Sequence, residues 1–169
     1  MNSADQGVYP MDTAFKRRWN FSYYGIDDGE DKLSDISTKP KFKLGQSNTL
    51  ISWNSLRKAI NDELSTEAYS INEDKLMGPF FLKESTIQDN DSFKEVFKNK
   101  VLMYLFDDVV KQKRRLFFKC EGNCRYSSIC SAFDEIGIEI FPEGVVNSKW
   151  LENKEETILE DSETKVTEV

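Results

Sequence analysis

The sequence predicts a short α/β segment, then a mainly α-helical subdomain and a disordered acidic tail. The α/β part is indicated by a helix-like run followed by Asn20–Tyr24, where polar and aromatic residues alternate as in a half-buried strand. The helical part is indicated by apolar residues that recur at spacings of three and four. The tail is rich in Glu and Thr, which disfavours a packed core. We therefore divide the chain into residues 1–26, 27–46, 47–148 and 149–169.

Composition excludes several classes of function. The chain has 169 residues, enough for one domain with a core, and its net charge of −7 argues against nucleic-acid binding over the whole surface. It contains no histidine, which removes Ser-His-Asp and Cys-His catalysis and most catalytic zinc sites. Neither a secretory signal nor an apolar run near transmembrane length is present. We therefore expect a cytoplasmic protein with no membrane partner.

The cysteines are interpreted as ordinary thiols. Cys120, Cys124 and Cys130 are odd in number, and no secretory signal precedes them, so the simplest expectation is that all three are reduced. Their spacings of four and six residues could suggest a metal cluster. No fourth ligand of a suitable type is obvious, and we therefore predict no metal site.

Residues 1–26 are predicted to contain a helix before the strand. Asp12 is a suitable N-cap for a helix over Thr13–Trp19, because its carboxylate can accept a hydrogen bond from an unpaired backbone N–H. Lys16 and Arg17 would then project outward from that helix. This segment would thus contain a helix followed by one short strand.

Residues 27–46 are polar and interrupted by Gly29 and Pro40, which is typical of a loop or linker. From Ser47 onward the apolar period becomes helical. The apolar positions of this first stripe are Leu50, Trp53, Leu56, Ile60 and Leu64. They predict one helix that packs its apolar face against a partner.

Two further helices complete the predicted subdomain. The longer covers about residues 91–118, and the other covers Tyr126–Ile136 and ends at Gly137. Phe80–Leu82 is predicted as a strand stub or a packed loop, and Ile138–Phe141 as a short strand. A cation cluster near the end of the longer helix suits the helix dipole, although it could instead contact nucleic acid or another subunit; it comprises Lys111, Lys113, Arg114 and Arg115.

The opening stretch carries a family resemblance. MNSADQGVYPMDTAFKRRW resembles the segment MNTADRS…D-x-A-x-RRR-F of the McrB-type AAA+ NTPases, the motor subunits of methylcytosine-dependent restriction systems. The spacing from the asparagine to the arginine pair matches residue for residue. EDKLMGPFFL and KVLMYLFDDVVKQKRRLFF resemble the helical lid of that family, so the resemblance covers roughly residues 1–140. It implies an α/β remnant of an AAA+ P-loop NTPase core followed by a mainly α-helical lid subdomain.

The resemblance implies catalytic roles at four positions. Asn2 would be the sensor-1 asparagine, whose amide helps to position the attacking water at the γ-phosphate, and Asp5 lies in the same signature. Arg17 and Arg18 match the arginine pair that reaches the nucleotide of the neighbouring subunit. Asn2 would thereby also contact the nucleotide, and Lys75 could approach it from the lid.

These residues also have plainer interpretations. Asn2 and Asp5 could cap the backbone of their own loop, and Arg17 and Arg18 could lie on a solvated helix face. The chain departs from the family's motif at Ser3, Gln6 and Lys16. A lysine cannot make the planar bidentate contact of an arginine, so a finger role is not expected for Lys16.

The sequence contains no G-x-x-x-x-G-K-[ST] phosphate loop and no upstream strand ending in an acidic pair for Mg²⁺. We expect a C-terminal fragment of a longer subunit that begins at an internal methionine and binds no cofactor tightly by itself. In the complete protein, a ring of like subunits would hydrolyse ATP or GTP with Mg²⁺. It would be coupled to an McrC-like nuclease and reach DNA only indirectly. The alternatives are a non-catalytic protein-interaction module and a decayed or split-gene fragment.

Overall fold

The computed structural model describes residues 14, 17–18, 20, 22–32, 41–43, 50–83, 89–120 and 122–151. Two strands and five α-helices lie in this part of the chain, joined by short 3₁₀ turns and by π-helical stretches. The strands are β1 (Lys41–Lys43) and β2 (Leu50–Ser52). The helices are α1 (Trp53–Leu64), α2 (Asn90–Val96), α3 (Arg114–Phe117), α4 (Tyr126–Ile136) and α5 (Glu143–Val146).

The two strands form an antiparallel hairpin that the sequence did not predict. β1 pairs with β2 so that Phe42 lies opposite Ile51. The prediction of a plain linker over 27–46 is therefore wrong at β1, and it also missed a 3₁₀ turn at Glu30–Lys32. Three residues are too few to show a period, so only the partner strand reveals β1.

Helix α1 begins later than its apolar stripe suggested. The Ser52 hydroxyl accepts a hydrogen bond from the backbone N–H of Ser55 at 3.2 Å, which caps the helix and leaves Leu50 in β2. The rest of the stripe is confirmed, because four of its side chains are fully buried: Trp53, Leu56, Ile60 and Leu64.

The long helix predicted over 91–118 is shorter than expected. Asp89 and Ser92 form a capping box before α2, which continues through π-helical stretches at Phe97–Leu102 and Leu105–Val109. The chain then leaves the helical conformation at Val110, and α3 follows a turn. The apolar residues continue through this break, with Phe117 and Phe118 both buried, so the apolar pattern alone did not reveal it.

Helix α4 is confirmed at both ends. It covers Tyr126–Ile136, and Gly137 follows with a positive φ of 61°, which glycine adopts without strain. The short strand predicted at Ile138–Phe141 is wrong, because Gly137–Ile140 forms a 3₁₀ turn. Its two side chains at Ile138 and Ile140 are buried, as they would be in a strand, so the pattern alone did not distinguish the two.

The predicted strand at Asn20–Tyr24 is also wrong for those of its residues that the structure describes. Asn20 and Ser22–Tyr24 pair with no strand of the described part of the chain. Phe80–Leu82 was predicted as a strand stub or a packed loop, and Pro79–Phe81 forms a 3₁₀ turn with proline at its first position. Residues 1–13 and the predicted acidic tail from 152 lie outside the described residues, so the AAA+ remnant stays a prediction.

The core lies within the helical subdomain. Among the described residues, every buried apolar side chain falls between Ile51 and Val145. Its centre is aromatic, with the Phe97 ring stacked on Phe133 at a centroid distance of 5.0 Å. The Trp53 ring meets Phe97 edge-on at 6.3 Å. One cluster therefore joins α1, the helix that begins with α2, and α4.

Candidate functional site

The residues predicted for nucleotide chemistry are only partly described. Asn2 and Asp5 lie outside the described residues. Arg17 and Arg18 form a turn and are exposed. Lys75 is exposed at the end of a 3₁₀ turn over Glu73–Lys75. Within the described part of the chain, the structure does not gather these residues into one site, and their roles stay predictions.

A cleft of about 370 Å³ lies beside α1. Its walls come from the segment that follows the two arginines, from α1, from residues 71–76 and from Trp150. Ionisable side chains line much of it, namely Asp27, Lys58, Asp62 and Glu73. Three of these four are acidic, so the cleft by itself would repel a polyphosphate.

Arg57 holds the segment 26–32 against α1. Its side chain is 0% exposed, and its Nε and Nη2 atoms donate to Asn54 Oδ1 at 3.1 and 2.8 Å. Its Nη1 atom donates to the Met77 carbonyl at 3.1 Å and lies 2.7 Å from Asp27 Oδ1. All three guanidinium nitrogens are therefore engaged, which is how a buried arginine offsets its desolvation.

Glu30 makes a second set of contacts beside Arg57. Its carboxylate lies 2.6 Å from Lys58 Nζ and accepts a hydrogen bond from Asn54 Nδ2. Burial would raise the pKa of Glu30, but the hydrogen bonds from Lys58 and Asn54 and the charges of Lys58 and Arg57 outweigh it and lower that pKa. Glu30 therefore stays ionised and ties the 3₁₀ turn that it begins to α1.

Trp150 closes the far side of the cleft. Its Nε1 atom donates to Asp62 Oδ2 at 2.7 Å, and Lys58 Nζ lies 4.5 Å from the centroid of its ring. Lys58 therefore contacts both Trp150 and Glu30. Its ammonium group, the cation that lines the cleft, is thus already paired within the protein. The arrangement is suited to joining segments of the chain, and no group of metal-binding residues exists among the described residues.

The sequence interpretation missed Arg57, although a signal was present. Arg57 lies four residues after Trp53 and three before Ile60, which places it on the apolar stripe of α1. A cation at such a position is expected to be buried, and a buried cation needs partners. Its acidic partners, Asp27 and Glu30, come from the predicted linker, so the sequence alone did not identify them.

We expect Arg57→Ala to lower the free energy of unfolding by about 3 kcal/mol, because it empties a buried volume and leaves Asn54 Oδ1 without its donor. Urea unfolding measures the change. Lys98→Ala is the control, since it removes an exposed ion pair with Asp134 and should cost about 0.5 kcal/mol. A loss for Arg57→Ala no larger than that of the control would contradict the role given to Arg57.

A second, basic surface lies at the other end of the long helix. A groove of about 640 Å³ is lined by Lys111–Leu116, Asn123 and Cys124. The cations lie just beyond the helix, which ends at Val109, and Arg114 Nε donates to the Phe106 carbonyl in its last turn, so the helix-dipole explanation stays a prediction. We call this surface the basic groove.

The cysteines differ from the prediction. Cys120 and Cys124 are joined as a disulfide, so the expectation of three reduced thiols is wrong for two of them. Cys130 is a free thiol. The disulfide closes a loop of the basic groove, and its two cysteines are four residues apart in the chain.

No helix of the described residues combines the length and the apolar character that crossing a membrane requires. The chain matches no family model and no solved structure. It is 43% identical over 118 residues to the type II restriction enzyme BsuMI component YdiS of Bacillus subtilis (strain 168). The match covers 70% of this chain and 32% of that protein, so the chain spans about a third of its relative's length. The chain is therefore related to a component of a restriction system.

Proposed function

We propose that the chain supplies the sensor, the arginine fingers and the helical lid of an McrB-like AAA+ NTPase subunit. The observation that carries this proposal is the order and spacing of Asn2, Asp5, Arg17 and Arg18, which matches the family's motif. The relationship to a restriction-enzyme component supports the same biological setting. The complete subunit would act in the cytoplasm, in a ring of like subunits with an McrC-like nuclease partner.

The proposed fingers lie close in sequence to the contacts around Arg57. Arg17 and Arg18 are exposed, as residues that reach a neighbouring subunit must be. About nine residues further on, Asp27 pairs with the buried Arg57. A movement of the subdomain that contains Arg57 would therefore pull on the segment that follows the fingers. We propose that the lid and the fingers move together during the hydrolysis cycle.

The substrate would be ATP or GTP with Mg²⁺. Two exposed guanidinium groups suit phosphate oxygens, because each presents several N–H donors in a planar fork. The described carboxylates form no metal-binding group, so Mg²⁺ and most of the nucleotide would be held by other parts of the complete protein. This chain's own contribution is the charge that its arginines bring to the neighbouring subunit's phosphates.

Hydrolysis assays test this proposal. The purified chain is incubated with Mg²⁺ and either ATP or GTP, alone and together with a motor subunit that carries a phosphate loop. We expect no hydrolysis by the chain alone, and more hydrolysis by the mixture than by the motor subunit alone. If the chain binds no nucleotide in either setting and leaves the rate unchanged, it is no part of an NTPase.

A non-catalytic interaction module is the second candidate. It is favoured by the core, which lies between Ile51 and Val145 and draws on no described residue before β2. Such a module would bind its partner without nucleotide and would tolerate the loss of Arg17 and Arg18. Co-elution of the chain with the motor subunit, compared with and without nucleotide, separates the two candidates.

A further inference from the structure

Positive charge is dense in residues 111–125, the segment that lines the basic groove. Residues 111–125 contain six cationic residues and one acidic residue, Glu121, whereas the whole chain has a net charge of −7. The six are Lys111, Lys113, Arg114, Arg115, Lys119 and Arg125. The remainder of the chain is therefore more acidic than the total suggests, and a polyanion would be attracted to this surface more strongly than to that acidic remainder.

Two of these cations build the groove. Lys113 Nζ donates to the carbonyls of Ala68 and Tyr69, both at 2.8 Å. Arg114 Nε donates to the Phe106 carbonyl at 2.7 Å, and its guanidinium lies 3.7 Å from the centroid of the Phe106 ring. These contacts hold the turn after the long helix in place. They also engage Lys113 Nζ and Arg114 Nε inside the protein.

A tyrosine adds a further contact to the same wall. The Tyr69 hydroxyl donates to the Leu116 carbonyl at 3.0 Å. Burial, helped by the charge of Glu63, raises the pKa of Tyr69 to about 12, so the hydroxyl keeps its proton. On the opposite wall, the disulfide between Cys120 and Cys124 constrains the loop that carries Asn123. The groove is therefore held by fixed contacts on two sides.

The remaining cations of the groove face solvent. Lys111 and Arg115 are exposed, and within the described residues neither takes part in a hydrogen bond or an ion pair. Of the acidic residues nearest in the chain, Asp108 precedes Lys111 and Glu121 follows Arg115, while Asp107 pairs with Arg114 at 3.3 Å. Exposed Lys and Arg side chains beside an already neutralised pair are suited to phosphate groups.

We propose that the basic groove binds the phosphate backbone of DNA directly, through Lys111 and Arg115. The identity of the polyanion rests on the proposed function, because a restriction system acts on DNA. An acidic protein segment is less suitable, since among the described lining residues Leu116 is the only large apolar side chain, and protein interfaces need an apolar centre. Direct contact differs from the indirect access to DNA that the family resemblance implies.

Salt-dependent binding of the full chain to a fluorescent DNA duplex tests the proposal. We expect the logarithm of the binding constant to fall linearly with the logarithm of salt concentration, because each phosphate contact releases counterions. Lys111→Ala/Arg115→Ala should lower the affinity at least about ten-fold and reduce the slope by about two. Both side chains are exposed, so the variant should fold normally, which circular dichroism verifies.

Lys32→Ala/Lys149→Ala is the matched control. Both lysines are exposed and lie outside the lining of the groove, and the variant loses the same charge. We expect it to change the affinity less than about three-fold. The proposal is overturned by an equal loss in both variants, by no binding at low salt, or by tighter binding to polyglutamate than to DNA. The assay needs no nucleotide and no partner subunit, so its failure is distinguishable from failure of the proposed NTPase role.

Discussion

Arg17→Ala/Arg18→Ala should lower nucleotide hydrolysis by the assembled ring at least about 10³-fold, which corresponds to roughly 4 kcal/mol of transition-state stabilisation. Negative charge spreads over the equatorial oxygens of the transferring phosphoryl group, and a guanidinium from the neighbouring subunit stabilises that charge. Both arginines are exposed on a turn, so truncation should not disturb the core. The expected loss is therefore in kcat, with little change in KM.

Steady-state kinetics of mixed rings measure this loss. The two single variants show whether one arginine or both act as fingers, which the family resemblance leaves open. Lys16→Ala is the control, because it removes a neighbouring positive charge that cannot make the bidentate contact. If Lys16→Ala lowers kcat as much as the arginine variants, the effect is one of general charge and the finger assignment is wrong.

Periodicity predicted the helices that carry the core. Trp53, Leu56, Ile60 and Leu64 share one face of α1 and are buried, as their spacing indicated. The end of α4 was also predicted, because Gly137 adopts the positive φ that favours glycine after a helix. These features depend on local residue order, which a sequence displays directly.

Features that depend on distant partners were missed. β1 is too short to show a period and is recognisable only through its pairing with β2. The helix predicted over 91–118 ends at Val109, and a turn separates it from the short helix at Arg114–Phe117. The partners of the buried Arg57 include Asp27 and Met77, which lie outside α1. The apolar stripe of that helix does not reveal them. Each of these required tertiary contacts.

The basic groove was recognised only in part. The sequence shows the cations, but it does not distinguish nucleic acid from another subunit as their partner. It did not show that Lys113 and Arg114 bind carbonyl groups of the chain itself while Lys111 and Arg115 remain exposed. Nor did the spacing of Cys120 and Cys124 reveal their disulfide. Side-chain partners, which separate structural cations from those available to a ligand, depend on the fold.

Phe97→Ala should lower the free energy of unfolding by about 4 kcal/mol, because it opens a cavity at the centre of the core. The Phe97 ring is fully buried and contacts four other rings, those of Trp53, Phe93, Phe133 and Phe141. These rings belong to α1, α2, α4 and the segment before α5. No single neighbour can move to fill the space without losing its own contacts, so little relaxation is expected.

Urea unfolding of Phe97→Ala and Phe80→Ala provides the comparison. Phe80 is 55% exposed, and its truncation should cost less than about 1 kcal/mol. The chain alone is enough for this measurement, since the core lies between Ile51 and Val145 and needs no partner subunit. Similar losses in the two variants would mean that Phe97 is not the centre of the core. A large loss confined to Phe97→Ala would instead place the centre of the core at Phe97, where four rings meet.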